Sequence, residues 1–316
     1  MQNIILQPSI RQKIDKRVDK ILHDLDMPEP PLRLDDVREL LRLDLGYYQG
    51  DSDGLIHQTI HRLTMAGKQI IERPTILLDA LRKFSIKALY IPDRKRILID
   101  ETLPKKKHRW ATGHEIMHDV LDWHELALRG DTDVTMKQSC LDKVEAEANY
   151  GAGQLLFLRE RFAREALDSA PSVELVKGMA DSFGNTYAST LWRLVETIGI
   201  TKPVVGVMHH HPHPRFSSPK FDPANPCRHF IRSDAFAAQF SSIAEMHVFN
   251  SISGYILPRK GGPLGCESVI LKDDNGDDHE FSFESFSFYH ECMTLCVHLR
   301  KRPLIVGVGS ISDPTL

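Results

Sequence analysis

Between residues 9 and 25, apolar side chains recur at Ile10, Ile14, Val18, Ile21, Leu22 and Leu25. Steps of three and four place them on one stripe of an α-helix, with a basic outer face. The proline-rich stretch MPEPPLRL (27–34) interrupts that helix. Asp35 and Asp36 open a second helix through VRELLRL, since acids in a first turn suit the positive end of the helix dipole. GDSDG (50–54) reads as a turn and 55–86 as interrupted helix. In 85–103 the β-type runs ALYI and RILI flank PDRK, which predicts a hairpin or two short strands. Helical spacing returns from about Cys140 to Leu167, ending before Pro171, and again over 172–199, where Gly199 marks a stop.

Beyond residue 200 the chain becomes rich in Pro, Gly, Ser and Phe. SVILKDDNGDDHEFSFESFSF carries β-type runs on both sides of Asn275-Gly276, a hairpin turn signal. The alternating series Phe281, Phe283, Phe286 and Phe288 points to a core on a strand. We therefore expect an N-terminal helix (1–29), an α-rich domain (30–200) and a β-rich C-terminal domain (201–316).

The 316 residues are 41% hydrophobic and 26% charged, with a net charge of −3. That balance calls for neither nucleic acid nor a membrane surface as the main partner. The only apolar run near the start lies around Ile4 to Leu6, so no secretory leader is expected. No stretch approaches the roughly 18 apolar residues of a membrane span. Cys140, Cys227, Cys266, Cys292 and Cys296 are odd in number and irregular in spacing, which suits reduced thiols in a cytoplasmic protein. Cys292 and Cys296, four apart, are expected to pack, facing one another if that segment is helical.

The candidate chemistry begins at residues 111–124, ATGHEIMHDVLDWH, which contain His114-Glu115-Ile116-Met117-His118. In a helix, positions four apart share a face, so His114 and His118 can present imidazoles to one ion. Glu115 then stands where it can take a proton from water at the metal. Two imidazoles leave such a site one protein ligand short. The helical segment VEAEAN (144–149) offers Glu145 as the third ligand. Asn149, one turn on, is placed to orient a ligating imidazole by hydrogen bonding. Glu147, two residues from Glu145, is expected on the opposite, solvated side of the helix. His124 is the competing third ligand, six residues after His118. That spacing needs a glycine at position 121 to break the helix, and Leu121 stands there. In a continuous helix His118 and His124 would lie about 240° apart, so His124 is read as a rim or helix-end residue.

Other features carry less. VELVKGMADSFGNTYASTLWRLVETIG (173–199) has a helix-turn-helix rhythm, but its charges are mixed where a DNA-reading face should be basic. It reads as a packing element. MHHHPHP (208–214) resembles a metal tract, yet its prolines scatter the imidazoles along an extended segment. One of these histidines would supply an electrophile only if its loop lay over the active site. Tyr150 and His108 are further candidates for that role, with structural roles favoured. DDNGDD (273–278) has a calcium-like rhythm but lacks the closing Glu of an EF-hand loop, so a solvated hairpin tip is expected.

Together, RWATGHEIMH and EAEANYGAGQLL resemble the ImmA/IrrE-type zinc metallopeptidases. PPLRLDDVRELLRL is similar to that family's opening helix, and RKRILIDETL to its strand before the active-site helix. The resemblance covers residues 30–200. It implies a compact α+β, gluzincin-like helical metallopeptidase domain with a small β-sheet, here followed by the β-rich C-terminal domain. It also implies His114, His118 and Glu145 as metal ligands and Glu115 as general base. The chain departs from the family pattern at Met117, where Gly is usual, at Gly151-Ala152, where Phe-Ala is usual, and at LLFL (155–158), where the family has LLMP.

The expected activity is a zinc-dependent endopeptidase, with manganese as an alternative ion. The expected substrate is a protein regulator of helix-turn-helix repressor or antitoxin type, in stress response or mobile-element control. Region 201–316 would sense a signal or recognise the substrate. The second reading is a catalytically inactive DNA- or repressor-binding module that retains a metal site.

Overall fold

The computed structural model describes residues 3–48, 88–91, 95–124, 138–217, 221–288 and 291–303. The turn expected at 50–54, the helix expected over 55–86 and the residues linking the two site helices fall outside these segments. Nine helices and two sheets are present among the described residues. The chain divides into two compact units. One comprises 4–168 and 177–193, the other 1–3, 169–176 and 194–316.

In the first unit, helix α1 (Pro8–Asp24) buries Ile14, Val18, Ile21 and Leu22, the stripe that its spacing dictates. Helix α2 (Leu34–Leu41) follows, with Asp35 and Asp36 in its first turn. A three-stranded sheet runs in the order β1 (Asp44–Tyr48), β3 (Arg96–Asp100), β2 (Ala88–Ile91). Strand β2 pairs antiparallel with β3, while β1 pairs with it in parallel. Strand β1 goes beyond the sequence expectation: DLGYY is short and carries a Gly, so its period is weak. Helix α3 (Lys105–Val120) carries the H-E-x-x-H, and helix α4 (Gln138–Leu156) packs against it.

The long helix expected from Cys140 to Leu167 is in fact two. α4 ends at Leu156 and α5 spans Glu160–Leu167. Leu158 and Arg159 between them take positive φ angles of 52° and 40°. The break turns Phe157 and Phe162 onto one another and onto Phe183, with ring centroids 4.8 to 5.9 Å apart. It also lets Arg159 pair with Asp19 and, at 3.4 Å, with Asp15 of α1. Burying three phenyl rings outweighs a local backbone cost of order 1–3 kcal/mol per residue.

The helix-turn-helix rhythm resolves into α6 (Val173–Ser182) and α7 (Tyr187–Ile198). The turn between them needs Gly184, whose φ is 67°. Phe183 and Asn185 are buried in that turn. Arg109 of α3 donates to Asn185 Oδ1 (3.1 Å), the Leu32 carbonyl (2.6 Å) and the Phe183 carbonyl (3.4 Å). The segment is therefore engaged in packing at its turn.

The second unit holds a five-stranded antiparallel sheet in the order β5 (Cys227–Arg232), β4 (Val204–His210), β8 (Glu291–Lys301), β7 (Asp278–Phe288), β6 (Gly262–Lys272). Helices α8 (Asp234–Gln239) and α9 (Glu245–Tyr255) contribute Phe236, Phe240, Val248, Phe249 and Ile252 to a core with Phe281 and Phe283 of β7. The phenylalanine series switches face. Phe281 and Phe283 are buried with that core, whereas Phe286 and Phe288 have the opposite parity and are half-buried. Cys292 and Cys296 pack, as expected, but on strand β8 rather than on a helix, where the β-type run ECMTLCV pairs with β4 and β7. Both are buried free thiols, and burial pushes the Cys292 thiol up to about 12. The tip around DDNGDD is also more than solvated. Asp273 is buried, accepts the backbone N–H groups of Asn275 and Asp277, and meets His279 Nε2 at 3.3 Å.

Candidate metal centre

Helix α3 presents His114 and His118 toward Glu145 of α4, with Glu115 buried between them in sequence and Ile116 and Met117 fully buried beside them. A glycine at 113 permits the approach: a Cβ there would meet Leu156 side-chain atoms of α4 at 3.0 to 3.3 Å. The Nε2 atoms of His114 and His118 lie 3.1 Å apart. Both face the Glu145 carboxylate of α4, at 3.1 Å from His114 to Oε2 and 3.6 Å from His118 to Oε1. Ligand atoms of these three residues all lie within 4.8 Å of one another. Asn149, one turn beyond Glu145, places Oδ1 3.1 Å from His114 Nδ1. His114 donates there from Nδ1, which leaves Nε2 to face His118 and Glu145.

Two imidazole nitrogens and one carboxylate form a donor set that fits zinc with an open fourth position, and also fits manganese. Two inward-facing nitrogens at 3.1 Å with a carboxylate beside them is the arrangement a cation satisfies. Among the described residues this is the one group of three such side chains so placed.

Electrostatics separate the roles. Burial pushes the Glu115 carboxyl up to about 7, aided by Glu145 and opposed by His114 and by a hydrogen bond from the Tyr90 backbone N–H of β2. Burial holds the His118 imidazole well below its usual range, helped by His114 and His124. For His114, burial acts downward, but Glu145, Glu115 and Asn149 outweigh it and the net shift is upward. A buried carboxyl near neutrality has the pKa that general-base work requires.

Glu147 is not where the sequence placed it, and His124 lies just past the helix end, as one expectation had it, but not at a rim. Helix α3 stops at Val120, without a glycine, and a turn bonds the His124 N–H to the Leu121 carbonyl at 2.8 Å. His124 is thereby fully buried, its Nδ1 3.1 Å from Nδ1 of His118. It stands behind His118, on the side away from Glu145, and is not a rim residue. Glu147 is not a solvated acid. Its Oε2 receives Trp123 Nε1–H at 2.7 Å and lies 3.0 Å from His124 Nε2. The turn after α3 wraps round α4 and covers what helical angles alone would leave in solvent. The signal available in the sequence was Trp123-His124 just beyond the helix, two buried-type side chains in search of an acceptor.

The weaker candidates are engaged elsewhere. Tyr150 donates to Asp15 Oδ1 at 3.1 Å, tying α4 to α1. His108 rests against the Tyr47 ring. In the second unit, strand β4 continues into the histidine tract. His209 is buried with Nε2 2.9 Å from Thr294 Oγ1, and His211 Nε2 lies 3.2 Å from the Arg259 carbonyl.

Comparisons with known proteins agree with the first unit. Residues 71–195 match the family model Peptidase_M78, described as the IrrE N-terminal-like domain. No curated protein matches the chain. Among solved structures, it is similar to a Mycobacterium tuberculosis transcriptional regulator, with 12% identity and a TM-score of 0.51. That alignment spans 95% of this chain and 94% of the other, and at this identity it shows a shared fold. No helix among the described residues is long and apolar enough to cross a membrane. Residues 71–195 are thus similar to the IrrE N-terminal-like domain of the Peptidase_M78 family.

Proposed function

We propose that the chain is a zinc-dependent endopeptidase that cuts a protein regulator, of helix-turn-helix repressor or antitoxin type. The observation that carries this reading is the convergence of His114 Nε2, His118 Nε2 and the Glu145 carboxylate beside a buried Glu115. His114, His118 and Glu145 would hold the ion, and Asn149 fixes the His114 ring. When bound, zinc supplies Lewis acidity, acidifying water and polarising a carbonyl. Glu115 takes the proton of the attacking water and returns it to the leaving amine.

A regulatory setting is supported by the likeness to the mycobacterial transcriptional regulator, whose fold the chain shares over nearly its whole length. Cleaving a regulator places the activity in stress response or mobile-element control, within the cytoplasm. We assign the second unit, with its five-stranded sheet, to recognition of the substrate or of a signal.

The test is a comparison of new protein N-termini in a cell extract treated with wild type, with Glu115→Gln, and with wild type plus chelator. The proposal expects a small set of cleavages present only with untreated wild type, in a transcription regulator or antitoxin. Identical N-termini in all three samples would replace it with the inactive binding module.

A further inference from the structure

We propose that His124 is the positioning residue for His118, anchored by Glu147 and Trp123, and that it locks the His118 imidazole in the tautomer that leaves Nε2 free for a metal ion. The metal consequence rests on the endopeptidase reading; the lock itself rests on hydrogen-bond geometry alone.

Protons can be counted along one chain of contacts. Trp123 Nε1–H can only donate, and it donates to Glu147 Oε2 at 2.7 Å. A carboxylate only accepts, so the contact at 3.0 Å between Glu147 Oε2 and His124 Nε2 requires the His124 proton on Nε2. In the neutral ring His124 Nδ1 is then a bare acceptor. It lies 3.1 Å from His118 Nδ1, and a hydrogen bond between two ring nitrogens needs one proton. That proton must be on His118 Nδ1. His118 Nε2 is left as a lone pair, 3.6 Å from Glu145 Oε1, and in the metal-free protein the proton of its 3.1 Å contact with His114 Nε2 belongs to His114, beside Glu145 Oε2, from where an ion would displace it. Asn149 does the same for His114 through its own Nδ1. Each imidazole is thus gripped at Nδ1 by a partner that turns its Nε2 inward.

The lock also joins the two helices. His124 follows α3, Glu147 belongs to α4, and Glu145 lies two residues from Glu147 on the same helix. His124 is fully buried, so water does not compete for its ring nitrogens. Partners that orient a ligating imidazole typically contribute a factor of about 10–100 in metal affinity.

The test uses the full chain and two substitutions. His124→Leu removes the acceptor. His124→Asn restores one, because Asn Oδ1 branches from Cγ as His Nδ1 does. Long-range 1H–15N correlation spectra of the metal-free protein read which His118 nitrogen carries the proton, and chelator competition reads zinc affinity. The expected result is an Nδ1–H tautomer of His118 in wild type and His124→Asn, and Nε2–H in His124→Leu. His124→Leu should lose zinc affinity by about 10–100-fold, and His124→Asn should keep most of it. An Nε2–H tautomer in wild type overturns the proposal, whether or not His124→Leu folds. So does a folded His124→Leu that binds zinc as wild type does. A wild type with the Nδ1–H tautomer that takes no zinc overturns the endopeptidase reading and leaves the lock standing.

Discussion

Met117 of α3 and Gly151 of α4 share one space between the two helices that carry the site. A Cβ on Gly151 would meet Met117 Cε at 2.5 Å and Cγ at 3.0 Å, with Ile14 Cγ2 of α1 at 3.2 Å. The metallopeptidases that this chain resembles usually carry Gly at the first position and Phe at the second. The large and small partners are exchanged here, so the two departures compensate one another. Helix spacing is thereby kept, and with it the reach of Glu145 to the two imidazoles. Gly151→Leu is expected to destabilise the protein by about 2–3 kcal/mol, since overpacking outweighs the gain in helix propensity. Adding Met117→Ala should recover about 1 kcal/mol or more of that loss. Urea unfolding of the two single variants and the double variant measures the coupling, and strict additivity would contradict the shared space.

Glu115 should leave a mark on stability without any substrate. Its carboxyl titrates at about 7 when folded and buried, against an ordinary value of 4.5. Between those values the unfolded chain releases the proton while the folded chain still holds it. The folded state of the metal-free protein therefore loses stability as pH rises from about 4.5 to about 7, by up to about 3 kcal/mol. Below that window the contribution is fully present. Glu115→Gln removes this slope, and it should also abolish hydrolysis. Chelated wild type and Glu115→Gln melted across that pH range check it: parallel curves would show that the carboxyl is not raised.

Arg109 is the clamp behind the site. Its guanidinium reaches Asn185, the Leu32 carbonyl and the Phe183 carbonyl from the N-terminal part of α3. Burial holds its pKa below the usual value, and the three acceptors replace the water that the buried guanidinium gives up. Arg109→Met should cost about 2–4 kcal/mol, because three acceptors lose their donor. Arg109→Lys should recover little of it, since one ammonium cannot span the fork. Thermal unfolding decides; a shift below about 1 kcal/mol for Arg109→Met would mean that water satisfies those acceptors.

The periodic parts of the chain were legible in the sequence. The α1 stripe, the ALYI and RILI strands and the His114–His118 spacing all follow from local rules. What escaped depended on contacts distant in sequence. The break at Leu158 and Arg159 is imposed by three phenyl rings, one of them from residue 183. Glu147 is misplaced by the sequence because angles within one helix say nothing of the turn that wraps it. Of the two positions expected for His124, rim or helix end, only the second fits. The helix ends at Val120, and the turn carries the ring to the far side of His118.

The most direct measurement of the central claim is the metal content of purified wild type and Glu145→Ala. About one zinc or manganese per chain in wild type, lost in a folded Glu145→Ala, is the result predicted by the convergence of His114, His118 and Glu145. Metal absent from both, or retained equally in both, would contradict it.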